Sequence, residues 1–186
     1  LKLLEVIRDN DLPGEVLEEE DTTHTMPRRF GLSDVVERQI RTYKEDVRKH
    51  ILLSDEEIEG LFRFVIRRPD GNDIFDQAGS LLAGSGRQPY LSRIFSQRMR
   101  IALARRSVRR RLRSLFGRHI VGFGREGFVL EGRALVFTDG EPVGGACYLI
   151  SGFCRQVIER VAGVEASVIH TKCQSRKDAI CRWELD

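Results

Sequence analysis

The sequence predicts an α+β domain: an N-terminal helical layer packed on an antiparallel sheet, closed by a C-terminal strand–strand–helix–strand–strand unit. Three observations predict it. Apolar residues recur at helical spacing through residues 33–116. At Gly117 the pattern changes to aromatic and β-branched residues set among glycines. One more helical stripe then separates two pairs of alternating segments, an order in which helices cover one face of a sheet. With 186 residues, 41% of them hydrophobic and 32% charged, the chain can bury a core of ordinary size.

Residues 1–32 have weak periodicity and an acidic run, Glu18 to Asp21, and read as a partly ordered N-terminal extension. Residues 33–186 are expected to form one compact domain, with 33–116 as its helical half and 117–186 as the other. Ser33-Asp34 caps a first helix whose stripe is Val36, Ile40, Tyr43, Val47 and Ile51. Ser54 and Glu57 form a capping box for a second, burying Ile58, Leu61, Phe62, Val65 and Ile66. The turn Arg68–Asn72 leads to a third, with Ile74, Phe75, Ala78, Leu81 and Leu82, which stops at Gly84-Ser85-Gly86. A long fourth follows Pro89, its inner face running from Leu91, Ile94, Phe95 and Ile101 through Val108 and Leu112 to Leu115 and Phe116. His119–Leu130 and Arg133–Phe137 suggest a strand pair. Ala146–Val161 returns to helical spacing and ends at Gly163, and the segments 165–172 and 180–185 alternate as strands around a polar turn.

Charge is distributed unevenly. The net value is +3, yet between Asp76 and Glu126 there are twelve arginines and no acidic residue, so the remainder of the chain is net acidic. No apolar run approaches the roughly 18–20 residues that span a bilayer, and the N-terminal residues lack the apolar core of a secretion signal. A cytoplasmic protein is the expectation.

All four cysteines fall in the last forty residues. In a chain with no secretory mark they read as metal ligands or buried thiols rather than a disulfide framework. Cys147, His170, Cys173 and Cys181 supply three thiols and one imidazole, the donor set of a closed tetrahedral zinc site. Cys147 falls in the first turn of a helix, where the dipole is expected to lower its pKa. His170 and Cys173 end one strand, and Cys181 opens the next, so a hairpin can fold it back beside Cys173. Soft sulfur donors with one imidazole select zinc over magnesium or calcium. Buried reduced cysteines with His170 as a bystander are the competing reading. Cys154, seven residues after Cys147, reads as a buried spare.

Three stretches carry a resemblance: Ala146–Phe153, Val168–Cys173 and Asp178–Leu185. From about Gly117 to Asp186 the chain resembles the 4-vinyl reductase-like domain, a small-molecule-binding module of the NO-signalling/Golgi-transport ligand-binding group. The shared pattern is a cysteine opening a helix with a glycine five on, an acidic residue three before a second cysteine, and a last cysteine in an aromatic-rich terminal strand. The resemblance implies that Cys147, His170, Cys173 and Cys181 stand where sensor domains of aromatic-responsive regulators hold a structural zinc. The sequence departs twice: His170 replaces the acidic ligand, and Lys177 stands where the final turn usually has glycine. The resemblance also implies an apolar pocket for a hydrophobic or aromatic small molecule, lined from Phe62, Phe75, Ile94, Phe95, Phe123, Phe128 and Phe153, and a homodimer formed through helices.

Two weaker signals complete the reading. Gly122-Phe123-Gly124-Arg125-Glu126-Gly127 matches a dinucleotide fingerprint in letters, but strand-like residues follow it where a helix is needed, so it reads as a hairpin. The segment Arg105–Arg113 keeps apolar residues at 108 and 112 and is therefore one amphipathic helix. Arg105, Arg106, Arg109, Arg110 and Arg113 form a basic face that is either simply solvated or a contact for nucleic acid or an anionic surface. No helix-turn-helix or aromatic-interleaved signature accompanies it, which argues against sequence-specific nucleic-acid binding. The expected function is a ligand-binding or sensory module stabilised by structural zinc. A vinyl reductase, or a tetrapyrrole-handling accessory protein of (bacterio)chlorophyll biosynthesis, is the alternative; a reductase would need a hydride donor, and no catalytic constellation is visible. A third reading is an interaction protein working through the arginine helix.

Overall fold

The computed structural model describes residues 1–11, 38–46, 48–49, 51, 54–84, 95–116, 120–123, 127–133 and 144–186. Its contacts divide the chain between Ser54 and Asp55. In the first unit the chain begins with helix α1 (Lys2–Asp11), where the sequence shows little periodicity. It buries Leu3, Leu4, Val6 and Ile7 and carries a Lys2–Glu5 ion pair of 2.7 Å. Helix α2 (38–46) buries Ile40; the expected cap at Ser33-Asp34 and the stripe residues Val36 and Val47 lie outside the described residues.

The second unit is α+β, in the expected order of helices, strand, strand, helix, strand, strand. Helix α3 (Asp55–Ile66) opens with three acids, which favour the positive end of its dipole. It turns tightly at Arg68–Asp70 into α4 (Gly71–Ala83), whose end is fixed by Gly84 at φ 80°, its N–H donating to Leu81 O. Helix α5 (Gln97–Phe116) buries Ala104, Val108 and Leu112 at steps of four; Leu115, expected inside, is half exposed at the helix end. Helix α6 (Tyr148–Ala162) is preceded by a 3₁₀ turn, Gly145–Cys147, and closes on Gly163 in the left-handed region.

The four strands are β1 (Ile120–Phe123), β2 (Val129–Gly132), β3 (Val168–Lys172) and β4 (Cys181–Leu185), antiparallel in the order β1-β2-β4-β3. The first hairpin pairs 120–123 with 129–132, so the segment His119–Leu130, read from the sequence as one strand, takes part in two, as the hairpin reading of the G-x-G-x-x-G run expects. Residues 134–137 lie outside the described residues.

Alternation builds one buried sheet face. Trp183 of β4 stands opposite Leu130 on one side and His170 on the other, and Cys181 stands opposite Gly132. Arg182 and Glu184 alternate to the other face, where Arg182 pairs with Glu184 at 2.5 Å and Glu131 at 3.6 Å. Helix α6 packs between α4 and the sheet, with α5 beside it. Its buried face (Leu149, Ile150, Phe153, Val157, Ile158, Val161) belongs to the core, as do Ile74, Phe75 and Trp183. Each such side chain taken out of water contributes about 1.5–3 kcal/mol.

Candidate metal centre

Three segments deliver the four side chains singled out in the sequence. Cys147 ends the 3₁₀ turn that runs into α6; His170 sits on β3; Cys173 follows β3 and Cys181 opens β4. Their donor atoms all lie within 4.8 Å of one another, and Cys147 Sγ is 3.9 Å from Cys173 Sγ. A tetrahedron with metal–sulfur bonds of about 2.3 Å has edges of about 3.8 Å, so the cluster is close to the size a metal requires. The three cysteines are buried. His170 Nε2 is buried too, with no hydrogen-bond partner among the described residues. A buried ring nitrogen left unpaired is costly in a folded protein, and a metal at the centre of the thiols would satisfy it.

Backbone geometry holds the loop between the last two cysteines. Cys173 is extended (φ −142°), Gln174–Arg176 form a 3₁₀ turn, and Lys177 takes φ 72°, the left-handed conformation that favours glycine. The departure noted in the sequence therefore keeps the turn at the cost of backbone strain. Asp178 locks it: its carboxylate accepts from Cys173 N–H at 2.7 Å, and its own N–H donates to Cys173 O at 3.1 Å. Gln174 N–H donates to Cys181 Sγ at 3.4 Å, aiming a backbone dipole at a sulfur. On the other side, the Trp183 indole N–H donates to Cys147 O at 3.3 Å, and its ring stacks on His170 with centroids 4.9 Å apart. That stack fixes the imidazole plane.

Gly144 is the residue that sequence reasoning missed. It adopts φ 75°, and a Cβ there would lie 2.6 Å from Cys173 Sγ and 3.6 Å from His170 Cε1. The chain thus passes against the cluster with no room for a side chain. The doublet Gly144-Gly145 was the only signal available.

The electrostatics correct one expectation. The helix start predicts a lowered pKa for Cys147; it is instead raised, because the thiol donates to Cys173 and Cys181 and is buried. Cys173 and Cys181 are lowered, first by accepting from Cys147. Three sulfurs in one buried space cannot all be anionic without a cation, so the metal-free cluster shares at least one proton. That proton must leave before all four donors can bind metal. Cys154 is fully buried in α6, its thiol pushed up by burial, and stands apart from the cluster.

Phe75, Phe128 and Phe153 are buried, and half-buried Phe62 stacks on Phe75 at 5.2 Å. Phe128 lies against the end of β4, where Leu185 N–H donates to its carbonyl at 3.1 Å. Phe95 is half-buried just before α5, while Ile94 and the side chain of Phe123 lie outside the described residues. On α5, Arg106, Arg109, Arg110 and Arg113 are exposed and Arg105 is half-buried. Among the described residues no helix is long and apolar enough to cross a membrane.

No family model, curated protein or solved structure matches the chain.

Proposed function

We propose that Cys147, His170, Cys173 and Cys181 bind a structural Zn²⁺, and that the domain is a 4-vinyl reductase-like module that holds an apolar or aromatic small molecule in a reducing compartment such as the cytoplasm. The observation that carries the metal is the convergence of four donors from three segments within 4.8 Å, with the Nε2 of the same His170 buried and unpaired among the described residues. Three thiolates and an imidazole suit zinc, and four protein donors complete its tetrahedron. No position is left for a reacting water, so the metal's contribution is to folding. The ligand-binding role is supported by the resemblance of three stretches, each of which contributes a residue to the cluster. Assembly as a homodimer through helices belongs to the same proposal.

The test is elemental analysis of the purified chain beside Cys173→Ser and Cys181→Ser. One zinc per chain is expected for the parent and none for either variant, with a lower melting temperature; metal content unchanged by both substitutions overturns the site. Native mass spectrometry of the parent tests the ligand: a co-purified apolar molecule is expected, and repeated recovery of the bare chain with its metal overturns that part alone.

A further inference from the structure

The solvent face of α5 is the strongest feature that the proposed function leaves unused. The helix has no acidic residue, and the one line of residues it buries is Ala104, Val108 and Leu112. At about 100° per residue, the opposite side carries Met99, Leu103, Arg106, Arg110 and Arg113 in a stripe roughly 80° wide and about 21 Å long, with Arg109 at its edge. All six are exposed, Met99 to 51% and Leu103 to 43%. Arg106, Arg109, Arg110 and Arg113 form no ion pair among the described residues.

The stripe is therefore basic over its C-terminal half and apolar over its N-terminal half, on one line. Charge complementarity calls for a polyanion. The two large apolar side chains decide which kind, because a duplex can bury a methionine and a leucine only by unstacking its bases, whereas an anionic bilayer offers phosphates and an apolar boundary together. We infer that α5 docks this face on an anionic phospholipid surface, with guanidiniums on lipid phosphates and Met99 and Leu103 entering the headgroup boundary. The contact lies in the plane of the surface and requires no spanning segment.

The experiment is co-sedimentation of the full chain with phosphatidylcholine vesicles containing about one-third phosphatidylserine, against pure phosphatidylcholine and duplex DNA. Binding to the anionic vesicles alone is expected, lost when salt rises from about 0.1 M to about 0.5 M. Each arginine near such a surface is worth about fivefold in partitioning, so R106Q/R110Q should weaken binding about 25-fold. M99S/L103S should weaken it at unchanged net charge. All four positions are exposed, so both variants should melt with the parent. The inference falls if the parent ignores anionic vesicles, or if R106Q/R110Q binds them as the parent does. It falls equally if M99S/L103S has no effect while duplex DNA outcompetes the vesicles, which would give the face to nucleic acid.

Discussion

Two backbone positions decide how tightly the cysteine cluster can close. At Gly144 a methyl group would be driven into Cys173 Sγ while the backbone sits at φ 75°. Gly144→Ala should therefore cost about 1–2 kcal/mol from the conformation alone. It should also shift the sulfur, so that a competing chelator strips the metal at lower concentration. At Lys177 the strain is already present, and no tetrahedral donor depends on its side chain. Lys177→Gly should relieve it and raise stability by up to about 1 kcal/mol, after the greater freedom of an unfolded glycine is deducted; metal stoichiometry should not change. The four ligands themselves were legible from their donor types and from the strand–turn–strand reading that folds Cys181 back beside Cys173, not from spacing, which matches no short-range zinc pattern. Gly144 was not, because its role depends on how near another segment passes, and spacing within a sequence carries no such information. Nor was the order of thiol acidities, which follows from the three sulfurs facing each other rather than from the helix end beside Cys147.

Helices α4 and α6 cross where both have lost their side chains. A Cβ on Gly152 would strike the Asp76 carbonyl, and one on Gly79 would strike Leu149 O. Around the crossing, Arg155 bonds the Asp76 carboxylate, and Arg111 and Arg160 cap the end of α4 at Ala83 O, Arg160 at 2.8 Å. Gly152→Ala should thus force the helices apart and destabilise the fold by about 1–3 kcal/mol, the range of overpacked cores, which a lower melting midpoint would record. Gly60, in α3, has open space around its Cα. Gly60→Ala should stabilise by about 0.5–1 kcal/mol, and thermal melts of the pair separate close approach from mere glycine content. Within the second unit the helices and their ends were largely readable, because period and caps are local; α1, in the stretch read as a partly ordered extension, was not. The first hairpin was legible in part: the G-x-G-x-x-G run reads as a hairpin and the strands on either side of it pair, but the strand limits were not legible, since β2 runs on to Gly132, past the stretch His119–Leu130 that reads as one strand.

Over the whole second unit, the cluster joins the start of α6 to both strands of the terminal hairpin, so the proposed metal would link its occupancy to folding. Acid should release the metal, because every thiol must be deprotonated to bind it. In the metal-free chain the sign follows from the shifts. Cys173 and Cys181 lie below the ordinary thiol value of 9.0, so the stability they contribute is present above that value and is lost as pH falls toward their depressed ones. Cys147, raised, acts in the opposite sense and only above the ordinary range. Stability of the demetallated protein should therefore rise with pH from mildly acid to neutral, as melts in the presence of a chelator would record. The α+β class was legible at this scale from element order alone.

The chain has a single tryptophan, and it is the one whose ring covers His170 and whose indole bonds Cys147 O. Trp183 is thus an optical gauge already installed beside the imidazole. Its ultraviolet emission reports on one place, without label or mutation, and should change in step with titrated cation while staying silent to events on the far side of α5.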